Sequence, residues 1–241
     1  MMIQAKDMPF DKLSDLIRKS EEQSIVIEQC CGQRYIASGM AGKEIIIRGT
    51  PGNALGAYLN GAVIRVCGNG QDAIGDTMND GLIVIEGSCG DACGYAMRGG
   101  VIMVRGDAGY RAGIHMKAYQ EKIPVLIIGR TAGSFLGEYL AGGLIIVLGL
   151  DKAPEQPIVG YFCGTGMHGG EIVLRCPKLP DNLPEQVTAR VATIQDMAKL
   201  MPHLEQFCQT FAYSLTKVLE QTFFVLSPNT AHPYQQLYVD N

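Results

Sequence analysis

Several residue groups in this 241-residue chain have types and spacings that could do chemistry. Gly164-Thr165-Gly166-Met167-His168-Gly169 has the literal GxGxxG spacing of a dinucleotide-binding turn, whose glycines let backbone approach a pyrophosphate. That chemistry needs a strand before the turn and a helix after it. Here a strand-like run, Glu171 to Cys176, follows at once, so the glycines predict turns. Cys89 and Cys93, with Cys67 upstream, could offer thiolates to a metal. Zinc takes four ligands, and neither a second short-spaced cysteine pair nor a nearby histidine accompanies them. Cys30-Cys31 is formally a redox pair. Cys163 and His168 could act as nucleophile and base, without a nameable third group to orient the base. His115, Lys117 and Tyr119 fall in one insertion, and Tyr161, Cys163 and His168 in another. Insertions in repetitive folds emerge on one edge and often carry binding, so these six are the candidate partner contacts.

The elements that must position them come from a period. IIIRG (45–49), VIRVCG (63–68), LIVIEG (82–87) and VIMVRG (101–106) each close a short apolar run with glycine, at steps of 19. SIVIEQC (24–30) precedes them. PVLIIG (124–129), LIIVLG (144–149) and EIVLRC (171–176) follow at steps of 23, 20 and 27. A fixed period near 20 residues marks stacked repeats. The runs are too short for helices and rich in β-branched residues. The fold expected is therefore mainly β, a single-stranded β-helix of about eight 19–27-residue coils.

Counting back from the closing residue, position −4 holds Val26, Ile45, Ile64, Ile83, Ile102, Val125, Ile145 and Ile172. Position −2 holds Glu28, Ile47, Val66, Ile85, Val104, Ile127, Val147 and Leu174. Strand side chains alternate, so both columns are expected inside. Position −3 should face out, yet it reads Ile27, Ile46, Arg65, Val84, Met103, Leu126, Ile146 and Val173. An apolar stripe of that length requires a cover, either a partner or another part of the chain.

Three regions follow. Residues 1–23 carry a Pro-initiated amphipathic segment (9–21) expected as a capping helix, since stacked repeats expose apolar ends. Residues 24–176 are the repeat. Residues 177–241 are expected as a helical tail and C-terminal arm, because Val187, Val191, Ile194, Ala198 and Met201 keep helical spacing. This tail is expected over the −3 stripe. The segment Ser227 to Tyr238, with two prolines and two tyrosines, reads as a docking arm.

Composition narrows the function classes. A net charge of −4 and a pI near 5.6 speak against nucleic acid, which needs a basic surface. No signal peptide is evident, and no apolar run has bilayer-spanning length. The eight cysteines lack a secretory disulfide framework, so a cytoplasmic chain with reduced thiols is expected.

The segment Gly90-Asp91-Ala92-Cys93-Gly94-Tyr95-Ala96-Met97-Arg98-Gly99-Gly100, continuing through Val101–Gly106, Ala108-Gly109 and Ala112-Gly113-Ile114-His115-Met116, resembles the C-terminal GXGXG domain of the glutamate synthase large subunit. Gly56 to Gly61 and Gly68-Asn69 fit the same family. The repeat also occurs in the GXGXG subunit of formylmethanofuran dehydrogenase, and the resemblance covers roughly residues 36–176. It implies right-handed winding and a domain without catalytic residues of its own. In glutamate synthase that domain packs between a glutamine amidotransferase domain and an FMN-binding synthase domain. The resemblance therefore implies a scaffold subunit whose partners are separate amidotransferase and FMN/iron–sulfur synthase chains, with no cofactor, metal or catalytic residue in this chain. The alternatives are a component like the GXGXG subunit of a formylmethanofuran dehydrogenase-type complex, or a ligand-binding or enzymatic protein with a site near His115 or His168. Self-association through the −3 stripe or the tail is compatible with each.

Overall fold

The computed structural model describes residues 1–229. Among the described residues eleven strands run in chain order: β1 (Met2–Gln4), β2 (Ser24–Cys31), β3 (Glu44–Thr50), β4 (Asn60–Val66), β5 (Asp80–Ile85), β6 (Val101–Val104), β7 (Val125–Ile128), β8 (Ala141–Val147), β9 (Gly169–Arg175), β10 (Val187–Val191) and β11 (Phe223–Pro228). The helices are α1 (Phe10–Lys19), α2 (Ile194–Phe211) and α3 (Leu215–Leu219). All eleven strands form one sheet in the order β1-β2-β3-β4-β5-β6-β7-β8-β9-β11-β10. Pairing is parallel from β1 to β9, then antiparallel where β11 joins β9 and β10.

This arrangement corrects the expected fold. The strands make one open mixed sheet, so the right-handed single-stranded β-helix is replaced by an eleven-stranded sheet, and residues 177–229 are not a helical tail. Their strands β10 and β11 complete the sheet beside β9. A repeat length fixes how copies stack, but not what the end of the chain pairs with. Val187 and Val191 fit a helix by spacing, yet pairing with Pro228 and Phe224 holds them extended, so tertiary context overrides local pattern. Most of the expected C-terminal arm lies outside the described residues.

The period survives as register. Ile45 pairs with Ile64, Ile64 with Ile83 and Ile83 with Ile102. Between strands the chain keeps step too. Gly75 N–H donates to Leu55 O (2.8 Å), Gly94 to Ile74 (2.7 Å) and Gly113 to Cys93 (2.7 Å). Side chains extend the ladder where the turns leave amides free. Asp72 Oδ1 accepts from Asp91 N, and Asp91 Oδ1 from Tyr110 N, so each copy caps the next.

Two copies depart from the column count. Ile25 and Ile27 pair with Ile45 and Ile47, so Val26 faces out and Ile27 in; a bulge between Ile27 and Cys30 absorbs the extra residue. Likewise Leu126 pairs with Ile102 and Ile145, which turns Val125 and Ile127 outward. A one-residue slip exchanges the two faces of a strand. The outward column is therefore Val26, Ile46, Arg65, Val84, Met103, Ile127, Ile146 and Val173.

That column is apolar because α2 lies on it. Leu200, Leu204, Phe207 and Phe211 recur at helical spacing and bury a second core against Val84, Met103, Ile127, Ile146 and Val173. Val26 and Ile46, beyond its reach, remain half-buried. At the other end α1 buries Leu13 and Ile17 in the interior with Ile25 and Ile27, closing the first copy. The β1 strand before it, too short to show a pattern, pairs with β2.

A capping box starts α2. Thr193 Oγ1 accepts from Asp196 N, and Asp196 accepts from Thr193 N (2.7 Å). Arg190 of β10 donates to both carboxylate oxygens of Asp196, one bond at 3.1 Å. The Arg190 bond, then the Thr193 bonds, hold Asp196 well below the usual carboxylate range. A carboxyl lowered by folding adds stability above its unfolded pKa of about 3.9, and that stability is lost as pH falls through the lower folded value. Acid denaturation followed by far-UV circular dichroism should therefore show a loss of stability below about pH 4 that is smaller in Asp196→Asn. An unchanged acid limb would remove Asp196 from this role.

Candidate functional site

Each of the first seven copies turns through three left-handed residues at alternate positions. In the fifth copy they are Arg111, Gly113 and His115; in the sixth, Phe135, Gly137 and Tyr139; in the seventh, Phe162, Gly164 and Gly166. A left-handed non-glycine residue costs roughly 1 kcal/mol and usually marks a local need. Here it recurs in seven successive copies, so it belongs to the turn rather than to one reactive centre. The middle position is filled by glycine in these copies because a side chain would meet the next copy: a Cβ on Gly113 would strike Ile145 and come within 3.0 Å of Met116 Sδ. Of the outer positions, Arg111, His115, Tyr139 and Phe162 are exposed and Phe135 is half-buried.

In these later copies every outer position except Gly166 is aromatic or basic, and the side chains stack. The His115 ring lies on Tyr139 at 5.1 Å, nearly parallel, with Tyr95 edge-on at 5.9 Å. Phe135 stacks on Phe162 at 5.0 Å, and Tyr161 adjoins Phe162 at 6.4 Å. Arg111 sits over Phe135 at 4.8 Å while its Nε donates to Glu138 at 3.1 Å. Tyr161 (66% exposed) and Phe162 (52%) are unusually open for rings of this size. The turn edge thus carries two aromatic stacks, held on backbone whose geometry repeats.

The six expected contacts divide on this edge. His115 and Tyr161 are part of it. Lys117 and His168 occupy equivalent positions two copies apart, roughly 10 Å at the strand spacing, and both are exposed. Tyr119 pairs with Lys122 in a small hairpin. Lys122 reaches back to Asp80 at 2.8 Å, folding the insertion over earlier turns and leaving a shallow polar hollow beside Tyr58, Asn79, Arg98 and Tyr119. Cys163 is the exception. It is buried (1%) and aligns with Ile36, Leu55, Ile74 and Leu136, one residue before the central left-handed position of each copy. Burial pushes its thiol up to about 12. A buried, protonated thiol is no nucleophile, so the Cys163–His168 pair is set aside.

Sequence reasoning misses Tyr95, Phe135, Tyr139, Phe162, Arg111 and Glu138. A signal is present: all but Tyr95 and Glu138 stand two residues from a turn glycine, at positions the period aligns. The other cysteines also fit the fold. Cys31 and Cys67 are exposed and the remaining six buried. Burial raises Cys30 to about 11, and the neighbouring Cys89, with burial, raises Cys93 well above the usual thiol range. A thiol reagent at neutral pH should label two cysteines quickly and all eight only after unfolding. Fast labelling of Cys163 would contradict its placement. Among the described residues no group of three or more His, Cys, Asp or Glu side chains is placed to hold a metal, and no helix is long and apolar enough to cross a membrane.

Comparison with known proteins is consistent with this geometry. Residues 19–229 match the family described as GXGXG motif. A protein of Methanocaldococcus jannaschii, named "Uncharacterized protein MJ1350", is 42% identical over 250 residues, spanning 99% of this chain and 96% of that one. Among solved structures, a chain of the formyltransferase/hydrolase complex (FhcABCD) from Methylorubrum extorquens, determined in complex with methylofuran, superposes with a TM-score of 0.65. The superposition covers 95% of this chain and 91% of that one at 16% identity, a likeness of fold. With most of its length matched and its turns built on alternating left-handed positions, the chain belongs to the GXGXG motif family.

Proposed function

We propose that this chain is a non-catalytic structural component of a multi-chain complex of the formyltransferase/hydrolase type, filling the place of its GXGXG subunit. It would bind its partner chains along the aromatic turn edge. What supports this most is the near full-length likeness to a chain that works inside such a complex. The edge supplies what a subunit interface needs. Rigid aromatic rings flanked by Arg111 present large contact area at low entropic cost, the composition in which binding hot spots are enriched.

The test is affinity purification of the tagged full-length chain from its own organism. Formyltransferase- and hydrolase-type chains should accompany it in fixed ratio. Tyr139→Ala combined with Phe162→Ala should weaken that association at least tenfold, since buried interface aromatics are worth about 2 kcal/mol each. Thermal stability should change little, because both rings are exposed. Recovery instead of a glutamine amidotransferase with an FMN- and iron–sulfur-binding synthase chain would replace this reading with the glutamate synthase one. Recovery of the chain alone would refute both.

A further inference from the structure

The polar hollow between the 119–122 hairpin and the earlier turns holds about 400 Å³, within the size range of small-molecule sites. None of the stacked rings His115, Tyr139, Phe135 and Phe162 lines it. The repeat builds one wall. Asn79 N–H donates to Leu59 O, Arg98 N–H to Met78 O and Lys117 N–H to Met97 O, each bond one copy further on. Asn60, Asn79, Arg98 and Lys117, spaced by 19 residues, therefore stand in one column at roughly 4.8 Å per step. The first three line the hollow, and Lys117 stands one copy beyond Arg98. Tyr58 lies in the neighbouring column, two residues before Asn60, and Tyr119 comes from the hairpin.

These side chains are open to solvent and lack partners. Tyr58 is 57% exposed and Tyr119 53%. Among the described residues neither ring meets another ring, whereas the rings further along the edge stack on one another. Gly39 precedes Tyr58 in its column, and even a Cβ there would meet nothing within 4 Å, so the space on that side is empty. Arg98 and Lys117 are both exposed, and among the described residues neither side chain makes an ion pair or hydrogen bond. Like charges on adjacent strands repel unless an anion joins them. Lys122 does not add to the excess, because Asp80 takes its charge at 2.8 Å. Glu121, at the hairpin, does not line the hollow. The side-chain amides of Asn60 and Asn79 are likewise without partners among the described residues. Two adjacent cations match the double charge of a terminal phosphate, where a carboxylate needs only one. Tyr58 and Arg98 are two copies apart, roughly 10 Å at the strand spacing, close to the length of a nucleotide from base to phosphate. With a net charge of −4 the chain offers no extended basic surface for a polymer, so one nucleotide fits better than a strand.

We infer that this hollow binds a nucleoside monophosphate, with its base stacked on Tyr58, its phosphate on Arg98 and Lys117, and the Asn60 and Asn79 amides between. Titration calorimetry of AMP into the full-length chain should show saturable binding with a sub-millimolar dissociation constant, the range open to a ligand of this size. Adenosine, which lacks the phosphate, and ribose 5-phosphate, which lacks the base, should each bind at least tenfold more weakly. Arg98→Glu and Tyr58→Ala should each weaken AMP about tenfold or more, the loss of a charge contact and of a stacking face respectively. Both positions are exposed, and Ala96 already takes the left-handed turn position of Tyr58 two copies on, so both variants should fold. Tyr139→Ala combined with Phe162→Ala, outside the hollow, should bind AMP like wild type. The proposal is overturned if wild type shows no saturable binding, if either truncated ligand binds as well as AMP, if either hollow variant binds like wild type, or if the Tyr139/Phe162 variant loses AMP. Failure of AMP to bind leaves the aromatic edge untouched, since that interface is tested separately by purification.

Discussion

Gly49→Ala should destabilise the protein by about 3 kcal/mol, combining left-handed strain with steric overlap. Gly49 has φ +127°, and a Cβ there would drive into the carbonyl of Cys30 in the preceding copy, lying also 2.9 Å from its nitrogen. Backbone cannot move aside as a flexible side chain can, so the strands must separate locally. For a chain of this length the loss corresponds to a fall in Tm of roughly 6–12 °C. Gly61→Ala is the matched control. Its φ of +106° imposes similar strain, but nothing lies within 4 Å of the added carbon. It should cost only about 1 kcal/mol. Urea denaturation of the two variants separates strain from overlap. Equal losses would show that the copies do not stack as closely as their hydrogen bonds require.

Phe207→Ala should cost about 3–5 kcal/mol, the range for emptying a large aromatic site in a well-packed core. Phe207 is fully buried. It meets Phe211 edge-on at 4.7 Å and stacks near Tyr213 at 6.0 Å. It also abuts the backbone at Gly129, where a Cβ would come within 3.0 Å of its ring. The loss includes the cover that α2 provides to Met103, Ile127 and Ile146, so a hydrophobic dye should bind the variant more strongly. Tyr161→Ala, at the exposed edge, should leave stability within about 0.5 kcal/mol of wild type. A Phe207→Ala loss below 1 kcal/mol would mean that α2 is not what covers the outward column.

Much of this is legible in the sequence because apolar alternation is a strong signal even in four-residue strands. Ile45, Ile64, Ile83 and Ile102 are expected inward and lie inward. The errors arise where the closing residue is taken as a fixed anchor. At Cys30 a bulge, and at Gly129 a five-residue lengthening of the preceding turn, shift the true frame by one. The sheet's end is lost for a different reason. The spacing of Val187 and Val191 does not reveal that Phe223–Pro228 will return to pair with both β9 and β10. The turn edge is half legible. His115 and Tyr161 stand out because they lie in insertions. Ring partners from different copies lie 20 to 27 residues apart in the chain, and only stacking of the copies brings them together. Cys163 misleads because its type suggests chemistry, whereas its position beside Gly164 is that of Leu55 beside Gly56, a core position.

The edge's role in assembly is most directly tested by placing a photo-crosslinking amino acid at position 139 and irradiating cells that carry the tagged full-length chain. The expected result is a cross-link from position 139 to a formyltransferase- or hydrolase-type chain, absent when the same group replaces Lys152, whose neighbour Asp151 bonds Tyr213 at the end of α2. If position 139 gives no such adduct while the complex is intact, the aromatic edge is not the interface through which this chain assembles.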